Sequence, residues 1–122
     1  MLDIDTFIEK IKKKSRLMGI DPGGKRIGVA ISDENKIVAT PYTTIIKENY
    51  ANLVSQIGKI VKEYKIDGIV IGNPINMDGS EGPSSQSAKD LAINLSKDIT
   101  ENITLWDERL SSQGAFNLSN EL

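Results

Sequence analysis

A change of apolar period along the chain limits its fold more than any single residue does. Up to Tyr42 the apolar residues come in short, β-branched runs: Leu17 to Asp21, Ile27 to Ile31 and Ile37 to Tyr42. Between them, Asp21-Pro22-Gly23-Gly24-Lys25 and Asp33-Glu34-Asn35 are dense in turn formers. These runs predict three consecutive strands in an antiparallel meander, with Pro41 marking an edge or a strand end. From Tyr50 the spacing lengthens, and Tyr50, Leu53, Val54, Ile57, Ile60, Val61 and Tyr64 recur at helical period. Asp67-Gly68 separates that helix from Ile69-Val70-Ile71, a run of the kind found in strands buried on both faces. A loop rich in Gly, Asn, Pro and Ser is expected from Gly72 to Ser87, bordering the active site. A second helix follows, carrying Ala88, Leu91, Ala92, Leu95 and Ile99 on one face, with Ser84, Ser85 or Ser87 as its N-cap. Ile103 to Trp106 reads as a fifth strand, and Ser111 or Ser112 would cap a last helix bearing Ala115, Leu118 and Leu122.

The order βββαβαβα predicts an α/β fold: a mixed five-stranded sheet flanked by helices, three antiparallel strands first, then strands that run parallel to the first because helices connect them. That is the ribonuclease H arrangement. Residues 1–15 precede it as an amphipathic helix, with Ile4, Phe7, Ile8 and Ile11 on one face and Lys10, Lys12, Lys13 and Lys14 on the others. The lysines read as a solvated face rather than a nucleic-acid arm.

Composition narrows the chemistry. The 122 residues, 39% of them hydrophobic, suit one domain with one core. There is no cysteine and no histidine. Disulfides, thiolate or imidazole zinc sites and His-activated nucleophiles are thereby excluded. Carboxylates, lysine, tyrosine and backbone amides remain. No apolar run approaches the roughly eighteen residues that span a bilayer, and no secretory signal opens the chain, so a cytoplasmic protein without membrane contact is expected. With a net charge of −2, nucleic-acid binding must rest on local patches.

Asp21 closes the first strand, which projects its carboxylate into the crevice beyond the sheet. Gly23 lets the backbone approach a phosphate, and Lys25 and Arg26 add positive charge beside it. The plain alternative is an Asp-Pro-Gly turn whose carboxylate caps its own backbone. Asp107 and Glu108 close the fifth strand, with Arg109 and Ser111 after them, and parallel strands bring both ends to one crevice. Carboxylates converging without histidine suit Mg²⁺ or Mn²⁺, held partly by substrate phosphate oxygens. Two such ions about 4 Å apart activate a water and stabilise the leaving oxygen. Arg109 either clamps a phosphate or neutralises the acids. Asn73, ending the fourth strand, stands nearest the metal region, while Asp78-Gly79-Ser80-Glu81-Gly82 forms the tip of the loop.

Three ordered motifs carry a resemblance: Met18-Gly19-Ile20-Asp21-Pro22-Gly23 with Lys25-Arg26-Ile27-Gly28-Val29-Ala30, then Ile71-Gly72-Asn73-Pro74 with Gly79 and Gly82, then Asp107-Glu108-Arg109-Leu110-Ser111-Ser112. From about Leu17 onward the chain resembles the YqgF/RuvX family, described as Holliday junction resolvases and as nucleases that process precursor 16S ribosomal RNA. The resemblance implies an RNase H-like domain over 16–122, with residues 1–15 an added helix. It further implies divalent-metal phosphodiester hydrolysis in a bacterial cytosol, with Asp21, Asp107 and Glu108 as catalytic residues and metal ligands. Gly23, Lys25, Arg26, Asn73, Arg109 and Ser111 are expected to contact substrate, either precursor rRNA or branched DNA. Family members continue into a basic stretch and a C-terminal helix bearing another metal-binding aspartate, and the expectation here is a domain lacking that helix. A homodimer is one arrangement that would supply the remaining carboxylate.

Two other functions share these features. A nucleic-acid or ribosome-associated binding module would keep the fold without a complete metal site. Actin-like phosphotransfer enzymes also open with an Asp-x-Gly hairpin, but their adenosine-binding element requires a second domain, for which 122 residues leave no room.

Overall fold

The computed structural model describes residues 1–23, 25–36, 38–73 and 82–107, and excludes the side chains at 83–85 and 107. Its elements, in chain order, are α1 (Ile4–Lys10), β1 (Arg16–Asp21), β2 (Arg26–Ser32), β3 (Ala39–Ile46), α2 (Tyr50–Tyr64), β4 (Ile66–Asn73), α3 (Pro83–Asp98) and β5 (Asn102–Asp107). They form the expected RNase H-like mixed sheet, in the order β3-β2-β1-β4-β5. β2 runs antiparallel to both β1 and β3, whereas β4 is parallel to β1 and to β5.

Period-two alternation divides the sheet between two cores. Met18, Ile20, Ile27, Val29, Ile31, Ile69, Ile71 and Ile103 belong to the core shared with Leu53, Ile57 and Ile60 of α2 and Ala88, Ala92 and Leu95 of α3. Each Met, Ile, Val and Leu among them contributes about 1.5–3 kcal/mol on full burial. Leu17, Val70 and Trp106 form a separate, smaller cluster with Phe7, against which Leu2, Ile4 and Ile11 pack. The N-terminal segment also covers the edge of β5: Leu2 N–H donates to Ile103 O at 2.8 Å, and Thr104 Oγ1 donates to Leu2 O at 2.8 Å.

Several boundaries differ from expectation for identifiable reasons. α1 spans seven residues, capped by Asp3, whose carboxylate accepts from Thr6 N–H at 2.7 Å. It stops early because the following residues are held elsewhere. Lys12 N–H and Ser15 Oγ donate to Asp67, and Lys36 Nζ donates to the Lys12 and Lys13 carbonyls at 2.7 and 2.9 Å. Lys10, Lys12, Lys13 and Lys14 are all exposed.

β4 begins before Asp67-Gly68 rather than after it. Arg16 pairs with Ile66 and Leu17 with Gly68, so Asp67 is the extra residue of a bulge, free to hold the α1–β1 connector. β3 likewise runs through Pro41 to Ile46. Its register jumps from Thr43 to Pro41 opposite Val29 and Ala30, so Tyr42 bulges beside the proline, where a missing N–H is tolerated. The Tyr42 ring then meets Tyr64 edge-on, with centroids 5.0 Å apart. α3 starts at Pro83 behind Gly82, with no side-chain cap, so a serine at 84–87 is not its N-cap. Proline suits that first position because its missing N–H would have had no helical partner. The last helix expected near residues 111–122 lies outside the described residues.

Candidate functional site

Parallel pairing determines which residues share an edge. β1, β4 and β5 point the same way, so Asp21, Asn73 and Asp107, the last residues of these strands, lie along one edge of the sheet. Asn73 and Asp107 are register partners. Adjacent strands stand about 4.8 Å apart, which puts the β1 and β5 ends roughly 10 Å from each other with β4 between. Asp21 is exposed, whereas Asn73 is only 6% exposed.

The neighbours of Asp21 leave its carboxylate open. Its partner across the β1–β2 ladder is Gly28, which has no side chain to cover it. Beyond it, Gly23 has a structural duty: a Cβ there would overlap the Arg26 carbonyl oxygen, so only glycine lets the hairpin close this tightly. Lys25 and Arg26 follow, both exposed. On the same sheet face a cavity of about 340 Å³ runs beside Asp21, floored by Gly19, Gly28, Ala30 and Gly72 and walled by Trp106. Among the described residues, its charged lining is Asp21 and Lys36. Burial pushes the Lys36 ammonium below the usual lysine range, against the opposing pull of Asp67 and Asp33.

The structure therefore brings Asp21, Gly23, Lys25, Arg26, Asn73 and the backbone of Asp107 to one edge of the sheet. Glu108, Arg109 and Ser111, together with 78–81 of the loop, lie outside the described residues. Sequence reasoning missed Lys47. Its N–H donates to Lys25 O at 2.8 Å, and Arg26 pairs with Ile46, so the end of β3 lies beside the basic start of β2. The Lys47-Glu48 dipeptide follows a β-branched run, and only the correct end of β3 reveals its location. Among the described residues, no three His, Cys, Asp or Glu side chains are grouped to hold a metal ion. No helix among them is long and apolar enough to cross a membrane.

The family described as "RuvX: Holliday junction resolvase" matches residues 15–122. The chain belongs to this family. A Pelagibacter ubique protein named "Putative pre-16S rRNA nuclease" is 51% identical over 122 residues, which are all of this chain and 81% of that protein. A Rhodobacter capsulatus protein of the same name is 45% identical over 112 residues, covering 92% of this chain and 70% of its own length. Among solved structures, Thermus thermophilus RuvC in complex with a Holliday junction substrate superposes with a TM-score of 0.55 at 8% identity, covering 81% of this chain and 68% of RuvC. That likeness shows a shared fold. RuvX membership makes this a nuclease-family chain, and places the Asp21 and Asp107 strand ends within the matched region.

Proposed function

We propose that this chain is a divalent-metal-dependent endonuclease that acts on structured nucleic acid, processing the 5′ end of precursor 16S rRNA. The observation that carries the reading is the shared edge: parallel β1, β4 and β5 end in Asp21, Asn73 and Asp107. Oxygen donors of this kind fit Mg²⁺ or Mn²⁺, which take carboxylates and substrate phosphate oxygens together. Asp21, Asp107 and Glu108 would hold the metal, which would supply an activated water and stabilise the leaving oxygen. Gly23, Lys25, Arg26 and Asn73 would orient the substrate backbone, with Arg109 and Ser111 contributing from beyond β5. The names of the curated relatives favour precursor rRNA as substrate, while the family description keeps branched DNA as the comparison substrate.

A second reading is a nucleic-acid-binding module without cleavage. Lys25 and Arg26, both exposed at that edge, would serve binding alone as well as cleavage. The two readings separate in one assay. Labelled precursor 16S rRNA and four-way DNA junctions are incubated with the protein and either Mn²⁺ or EDTA. Cleavage in Mn²⁺ that EDTA abolishes is the expected result; binding without cleavage under both conditions selects the module.

A further inference from the structure

The sheet edge that carries the acids also carries cations on one side. β1, β4 and β5 end it with Asp21, Asn73 and Asp107, while the side formed by β2 and β3 presents Lys25, Arg26 and Lys47. All three cations are exposed. They are held together by backbone, not by chance side-chain placement: Arg26 pairs with Ile46, and Lys47 N–H donates to Lys25 O at 2.8 Å. Arg26 also lies two residues from Gly28, the register partner of Asp21, so the cations begin beside that carboxylate. Glu48, likewise exposed, is the acidic neighbour of Lys47 in the chain. Because the whole chain carries a net charge of −2, a polyanion gains attraction from a local patch such as this one.

We infer that Lys47 is a substrate-positioning residue, completing with Lys25 and Arg26 a cationic rail for the phosphodiester backbone on one flank of the cleaved bond. The inference rests on the nuclease reading above. Adjacent strands are about 4.8 Å apart, so the rail begins one strand from Asp21 and extends away from Asp107. Backbone contacts of this kind fix register and carry no sequence information.

The test uses a labelled precursor 16S rRNA fragment and the full chain, as wild type, Lys47→Gln, Lys47→Arg and Lys59→Gln. Lys59 is exposed on α2, away from the edge, and its substitution changes net charge equally. In Lys47→Gln, KM rises several-fold, more than kcat falls, and the slope of log binding constant against log salt drops by about 0.7 to 0.9, the value of one phosphate contact. Lys47→Arg restores both, and Lys59→Gln changes neither. A wild-type slope in Lys47→Gln, or an equal loss in Lys59→Gln, overturns the inference while leaving the nuclease reading standing. Absence of rRNA binding and cleavage by the wild type overturns both.

Discussion

Gly68 lies beneath the Phe7 ring, and the contact is close enough to give its replacement a calculable cost. A Cβ at this position would stand 2.6 Å from Phe7 Cζ, 2.8 Å from Phe7 Cε2 and 3.2 Å from Ile11 Cγ2. Carbon atoms pack at about 3.5–4.0 Å, so in Gly68→Ala the ring must retreat by roughly 1 Å. Phe7 is fully buried among Leu17, Val70 and Trp106, which leaves it little room to do so. Overpacking of this kind costs about 1–3 kcal/mol. If the Phe7 ring swings out instead, its lost burial sets a similar ceiling of about 1.5–3 kcal/mol. The assay is urea unfolding followed by fluorescence of Trp106, the single tryptophan, which shares the Phe7 cluster. Phe7→Ala removes the obstructing ring, so the double variant should be less destabilised than the sum of the two single ones. A Gly68→Ala protein as stable as the parent, or strictly additive effects, would refute the packing described for α1.

Gly58, on α2, is the opposite case: a Cβ there meets nothing within 4 Å, so Gly58→Ala should raise stability by about 0.5–1 kcal/mol, read in the same unfolding assay. Lys36→Met strips two donors from the Lys12 and Lys13 carbonyls and should cost about 1–3 kcal/mol; amide exchange at 12–15 should quicken while α2 stays protected. Tyr50 donates to Asp98 Oδ2 at 2.8 Å, and burial first, then this hydrogen bond and the Asp98 charge, push its phenol up to about 12. Between pH 10 and 12 the folded chain keeps a proton there that the unfolded chain releases, so this contribution to stability falls as pH rises across that window. Tyr50→Phe should flatten that part of the unfolding profile. An unchanged profile would remove Tyr50 as the cause.

How much of this was legible depends on what each residue's signal is local to. The helix from Tyr50 to Tyr64 was readable because seven apolar residues mark one face over four turns, and the structure starts and ends it there. The strand directions followed from the helical connections, which require β4 and β5 to run parallel to β1. Asp67-Gly68 misled because its turn-like composition serves a different purpose: Asp67 bulges out to hold residues 12 and 15, and Gly68 makes room for Phe7. Those partners are 52 residues or more away in the chain, beyond any window of periodicity. Pro41 marked an edge strand correctly, but the run-on of β3 to Ile46 was hidden, since the bulge at Tyr42 that accommodates the proline depends on the β2 register. At the candidate site, Asp21, Lys25, Arg26 and Asn73 were visible from motif and strand-end position. Lys47 was not, because its place beside Lys25 exists only once β3 pairs with β2 through Ile46.

We propose that the common end of β1, β4 and β5 is the reaction centre, with Asp21 as its exposed acid. Single-turnover cleavage of precursor 16S rRNA in Mn²⁺, comparing wild type with Asp21→Asn, tests it most directly. Asp21 is exposed, so its amide replacement should leave the unfolding curve nearly unchanged. The cleavage rate should nevertheless fall at least 100-fold, on the order of what losing a positioned catalytic group costs. An Asp21→Asn protein that cuts within a few-fold of the wild type would place the reaction centre elsewhere.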